Sequence, residues 1–138
     1  MTIFVDASAL IAIITGEAEA DALSDRLEAD ADRLCSALSV WETVAGLVRS
    51  YAFTVEAARA QVRLYLEAGA IRFVPLGEAE SDLAIAAYDR FGKGRHPAAL
   101  NMGDCHAYAC ARAHGASLLY KGADFARTDL AHPPGAGP

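Results

Sequence analysis

Asn101-Met102-Gly103-Asp104-Cys105-His106-Ala107-Tyr108-Ala109-Cys110-Ala111-Arg112-Ala113-His114-Gly115-Ala116-Ser117-Leu118-Leu119-Tyr120-Lys121-Gly122-Ala123-Asp124-Phe125 is punctuated as a helix that runs straight into a strand. Gly103 and Asp104 open the helix, and a carboxylate in the first turn faces the positive end of the helix dipole. The alanine-rich interior favours helix intrinsically. Arg112 and His114 occupy the last turn, and Gly115 is placed to stop it. Ser117 to Tyr120 reads as a short buried strand that Lys121-Gly122 breaks. Two carboxylates, Asp104 and Asp124, therefore stand at element ends joined by one tight helix–strand unit. In an open α/β sheet, ligands bind beyond the carboxyl ends of the strands.

The rest of the chain repeats this alternation. Ile3-Phe4-Val5 is an apolar run ending on Asp6, the pattern of a central parallel strand. Ser8 is expected to cap a helix over Ala9 to Thr15, which Gly16 ends. Glu17 to Ala31 reads as a second helix with Ala20, Leu23 and Leu27 on its buried stripe. Leu34-Cys35-Ser36 is a second strand, and Ser39 opens a helix reaching Tyr51. Thr54 to Ala68 is a further helix that Gly69 stops. Ile71 to Val74 is a third strand closed by Pro75, and Glu78 to Phe91 is helical again. Short apolar strands alternating with helices predict an α/β fold, a central parallel sheet with helices on both faces.

At 138 residues and 54 % hydrophobic content, the chain can hold the core of one domain. That domain is read as residues 1–130, with a Pro- and Gly-rich flexible tail at 131–138. A net charge of −6 argues against a surface built for bulk nucleic-acid binding and leaves room for a local basic patch. Three cysteines without a Cys-x-x-Cys pair point to reduced thiols in a cytoplasmic protein. The opening residues lack a basic leader, and the run from Ala7 to Thr15 is too short to span a bilayer, so no membrane role is expected.

Four acids fall at or near element ends: Asp6, Glu42, Asp104 and Asp124. Each has a structural reading beside a chemical one. Asp6 suits a turn or cap. Ser39-x-x-Glu42 fits a capping box. Asp104 suits the helix dipole, and Asp124 can cap the turn after it. If folding gathers them, their charges repel, and burial worsens the repulsion. A divalent cation would neutralise the group. Magnesium suits carboxylate oxygens supplemented by water, and such a cation activates water and steadies charge on a phosphoryl oxygen.

Ile3-Phe4-Val5-Asp6-Ala7-Ser8-Ala9-Leu10, Glu42 in its helix, Leu100-Asn101-Met102-Gly103-Asp104-Cys105 and Leu119 to Asp129 together resemble PIN-domain proteins, and among these the VapC toxins of bacterial toxin–antitoxin pairs. The resemblance runs over roughly positions 2 to 130. It implies a three-layer α/β/α sandwich and an endoribonuclease dependent on magnesium, with manganese as a substitute. It also implies a homodimer, an RNA substrate and a cognate antitoxin that holds the toxin inactive. The acidic quartet of the family falls on Asp6, Glu42, Asp104 and Asp124, with Asp129 as the other position for the fourth acid. The small hydroxyl residue near the first acid is Ser8. A non-catalytic PIN-like module that grips RNA or an antitoxin is the alternative.

The loop carrying Arg90, Lys93, Arg95 and His96 is a candidate contact for the RNA backbone, against a solvated loop without a role. Trp41 and Tyr108 can stack on bases, but packing in the core is the expectation for both. His106, Cys110 and His114 recur every four residues on one helix, which by itself does not supply tetrahedral zinc. The helices Glu17–Ala31 and Thr54–Ala68 have apolar stripes for the core or for a partner.

Overall fold

A computed structural model describes residues 1–130. The elements run β1 (Thr2–Val5), α1 (Ala7–Thr15), α2 (Ala20–Glu28), β2 (Asp32–Cys35), α3 (Ala37–Tyr51), α4 (Val55–Ala68), β3 (Ile71–Phe73), α5 (Glu78–Phe91), α6 (Met102–Ala113) and β4 (Ser117–Leu119), followed by a single 3-10 turn at Phe125–Arg127. The four strands form one sheet in the order β3-β2-β1-β4. All three pairings are parallel, with Phe4 opposite Leu34 and Leu118, and Leu34 opposite Arg72. β1 is thus a central strand. Its alternate side chains go to opposite faces. Phe4 joins Leu34 and Leu118 in a core layer closed by α5 and α6. Ile3 and Val5 join Cys35 and Leu119 in a second layer closed by α1 to α4. The result is a three-layer α/β/α sandwich with helices on both faces of a parallel sheet. Ile3, Phe4 and Val5 are all fully buried, and each such side chain contributes about 1.5–3 kcal/mol.

Several boundaries differ from the sequence reading, for local reasons. α1 begins at Ala7, and its cap is Asp6, whose side chain accepts from the Ser8 backbone N–H. α2 is shorter than Glu17–Ala31, and of its apolar stripe only Leu27 is fully buried. α3 starts earlier than Ser39. Its cap is Ser36, in a reciprocal capping box with Ser39. α4 buries Ala58, Val62 and Leu66, while Val55 and Leu64 remain exposed. Gly69 ends α4 with ordinary right-handed backbone, and the left-handed residue is the next one, Ala70, at φ 50°. Asp129 and Leu130 belong to the folded body: Leu130 is 3 % exposed. The tail read at 131–138 lies outside the described residues.

One side chain knits helix ends to the sheet. Arg33 on β2 donates to the carbonyls of Leu27 (3.1 Å), Glu28 (3.1 Å) and Asp30 (2.8 Å) at the end of α2, and of Gly69 (2.8 Å) at the end of α4. These carbonyls lie at helix ends, where intrahelical donors run out.

Candidate active site

Asp6 leaves the carboxyl end of β1 and is 5 % exposed. Its backbone N–H donates to the Leu119 carbonyl of β4 at 2.9 Å, which fixes it where the two strands end side by side. Its Oδ2 accepts from the Ser8 backbone N–H at 3.0 Å and from the Ser8 hydroxyl at 2.6 Å. The same hydroxyl accepts from the Lys121 N–H at 3.0 Å. Ser8 therefore aims the carboxylate and ties it to the segment after β4.

Asp104 arrives from the other side. Asn101 caps α6: its side-chain oxygen accepts from the Asp104 N–H at 2.9 Å, and Asp104 Oδ2 accepts in return from the Asn101 N–H at 3.1 Å. One oxygen of Asp104 is held in this box, so capping leaves the other for chemistry. Glu42 projects from the second turn of α3, away from the Ser36–Ser39 box. The capping role offered by Ser39-x-x-Glu42 is therefore not the one Glu42 fills. Instead its carboxylate lies against the backbone of α6. A Cβ placed on Gly103 would fall 1.9 Å from Glu42 Oε2. Glycine at 103 makes the space that Glu42 occupies.

Asp124 is exposed, just before the 3-10 turn, and makes no side-chain capping bond there. Its charge acts on both Asp6 and Asp104. Asp129 is held elsewhere. Tyr108 donates to it at 2.8 Å, Arg112 forms an ion pair with it, and Arg90 lies 3.4 Å away. Burial acts to raise its carboxyl, but these partners outweigh that and hold it below the usual range.

The cup is electrostatically tense. Burial raises Asp6 above its ordinary value; the two bonds from Ser8 offset part of this, and the Asp124 charge adds to it. Burial, then the charges of Asp6 and Asp104, push Glu42 up to about 7. Burial pushes Asp104 up to about 6, with the Asn101 N–H pulling it back and Asp6 and Asp124 adding to the rise. Such mutual destabilisation among buried acids marks a functional site more often than a structural one. Among the described residues, no three His, Cys, Asp or Glu side chains are drawn together tightly enough to make a ready-made cage for an ion. The donors are nonetheless all carboxylate oxygens, one of them seated in a cradle that any side chain at 103 would fill. This is the set that suits a magnesium ion that keeps much of its water shell.

The basic loop is mostly engaged within the fold. Arg90 lies over the Phe91 ring at 4.6 Å and faces Asp129. Arg95 pairs with Asp89 at 2.8 Å. His96 Nδ1 accepts from the Ala98 N–H at 3.0 Å. Among the described residues, Lys93 has no acidic partner. Tyr108 is buried, as expected. Trp41 is not: it is 67 % exposed, contrary to the expectation of core packing, because the next turns of α3 bury Thr43 and Leu47 on another face. Cys35, Cys105 and Cys110 are unpaired and buried, and His106 Nδ1 lies 2.7 Å from the Met102 carbonyl, bound within its own helix.

A parallel sheet in the order β3-β2-β1-β4, sandwiched by helices and ending in a cup of acids, is the architecture of a PIN domain, and the family model described as PIN domain matches residues 3–130. The chain is 41 % identical over 127 residues to VapC ribonuclease Mb0640 of Mycobacterium bovis, covering 92 % of this chain and 95 % of that protein. It is 39 % identical over 140 residues to VapC ribonuclease R02377 of Rhizobium meliloti, covering 92 % and 98 %. Among solved structures it is similar to VapC20 of Mycobacterium tuberculosis, a sarcin-ricin loop cleaving toxin, with a TM-score of 0.68 over 90 % of this chain and 92 % of that one; at 23 % identity this likeness speaks for the fold. The chain belongs to the PIN-domain family, among its VapC ribonucleases.

Proposed function

We propose that the chain is a magnesium-dependent endoribonuclease toxin of a toxin–antitoxin pair, active in the cytoplasm and held in check by a cognate antitoxin. The observation that carries the reading is the meeting of Glu42 with Gly103 and Asp104. Glu42, raised to about 7, fills the volume a side chain at 103 would take, and the charge of Asp104, itself raised to about 6, acts on it. The family relationship supports ribonuclease chemistry, and the acid cup supplies the groups for it.

Asp6 and Asp104 would hold the cation most directly, with Glu42 and Asp124 completing the cup, partly through water. Asp129 is unsuited to this because Arg112 and Tyr108 already hold its oxygens. When bound, the cation supplies an activated water and charge stabilisation for in-line attack on an RNA phosphodiester, and manganese can substitute for magnesium. Ser8 aims Asp6 through its two bonds, which favour the charged form and offset part of the rise that burial causes. Glu42, with its raised pKa, is suited to take or return a proton near neutral pH. A homodimer is part of the same reading.

The test is a cleavage assay on single-stranded RNA with magnesium, with chelator, and with Asp6→Asn and Asp104→Asn. Cleavage is expected with magnesium alone and is expected to disappear in the other three cases. Full activity of either variant, or of wild type in chelator, would overturn the assignment. Binding without any cleavage would favour the non-catalytic module.

A further inference from the structure

Resting on the ribonuclease reading, we infer that Trp41, with Met102 beside it, is a stacking platform for an unpaired RNA base next to the scissile phosphate.

Trp41 is the one tryptophan of the chain. At 67 % exposure it contributes little to the core, and Met102 is 66 % exposed. The two line one hollow of about 400 Å³ with Leu38, Leu76 and His106. Each stands next in sequence to a residue of the acid cup's contact: Trp41 precedes Glu42, and Met102 precedes Gly103, against which the Glu42 carboxylate lies. The apolar hollow therefore lies alongside the Glu42–Gly103 contact, on the same turns of α3 and α6. An RNA strand with its phosphate at the acids brings a neighbouring base to this hollow.

The charge distribution points the same way. An acidic chain needs another source of affinity for a polyanion. Arg90, Arg95 and His96 are held by contacts within the fold, which leaves Lys93 as the basic-loop side chain without an acidic partner among the described residues. Stacking on an aromatic face needs no positive charge and tolerates any base. A flexible thioether packs well against flat rings of varied shape. A second copy of this chain covering the same apolar surface is the competing occupant.

Trp41 is its own reporter. Metal-free protein in chelator is titrated with short oligouridylate, short oligoadenylate and an abasic ribose-phosphate oligomer of equal length. Saturable quenching of tryptophan emission is expected with the two base-bearing oligomers and not with the abasic one. Trp41→Ala is expected to weaken binding of a labelled oligomer about tenfold and to raise KM with a far smaller change in kcat. Trp41→Phe is expected to recover most of the affinity. Equal binding of the abasic oligomer, or an unchanged KM in Trp41→Ala, would overturn the inference while leaving the nuclease reading intact. So would an emission shift that follows protein concentration without RNA, the mark of a second copy on this face. Base-dependent quenching in a wild-type protein that never cuts RNA would instead sink the nuclease reading and keep the platform.

Discussion

At Gly103 the α6 helix lacks a Cβ, and the Glu42 carboxylate takes that volume. Gly103→Ala should suit the helix better by about 1 kcal/mol on propensity, yet it must push Glu42 away from Asp104. The expected outcome is a loss of cleavage of about a hundredfold, the scale of an ångström-sized misplacement, with little loss of thermal stability. Steady-state kinetics beside a thermal melt checks both halves. The same pair sets a pH dependence. Glu42 and Asp104 have folded-state pKa values above their unfolded ones, so the folded protein binds more protons in the interval and stability falls as pH rises through it. In chelator the unfolding midpoint should therefore decline from about pH 4.5 to about pH 7, the span from the ordinary glutamate value to that of Glu42. Glu42→Gln should flatten the decline. Melts from pH 4.5 to 8 would read this directly, and a midpoint that rises across that range would contradict it. Asp6 and Asp104 could be picked out in the sequence as acids at a strand end and a helix start. Glu42 was ambiguous, because Ser39-x-x-Glu42 imitates a capping box while the real box, Ser36 with Ser39, has a serine where the pattern expects an acid or amide. Trp41 departs from expectation, since a large apolar residue in an amphipathic helix is usually inside and nothing local says otherwise.

At the scale of elements, Arg33 carries more than its place on β2 suggests. Four carbonyls from the ends of α2 and α4 converge on one guanidinium. Arg33→Ala should lower stability by about 2 kcal/mol, the scale of hydrogen bonds to a charged group, measured by denaturant unfolding. Arg33→Lys should restore only part, because a lysine lacks the planar fork. The alternation of strands and helices was readable because each strand is a short apolar run and most helices announce their stops. Their starts were less so. Asp6 caps α1 through the Ser8 N–H, so the acid thought free to act also does the work assigned to Ser8. The clasp of Asp129 by Tyr108, Arg112 and Arg90 is not legible in the sequence, since its partners lie 17 to 39 residues back in the chain.

At the scale of the whole molecule, acids from β1, α3, α6 and the segment after β4 meet only because the sheet order sets β1 beside β4. A cation that binds the folded cup and not the unfolded chain stabilises by mass action. Magnesium should therefore raise the unfolding midpoint of wild type at pH 7.5 by a few degrees and have little effect on Asp104→Asn; calorimetry with and without the ion checks this. Among the described residues no helix is long and apolar enough to cross a membrane, and the exposed Trp41 of α3 and Met102 of α6 line one hollow.

The hydroxyl of Ser8 reaches the backbone of Lys121, 113 residues later in the chain, and the Asp6 amide waits for the Leu119 carbonyl. During synthesis these early residues emerge from the ribosome long before the late ones that complete their bonds. A nascent polypeptide halted short of β4 holds no finished cup. A cutting protein thus exists only once β4 has been synthesised and paired with β1.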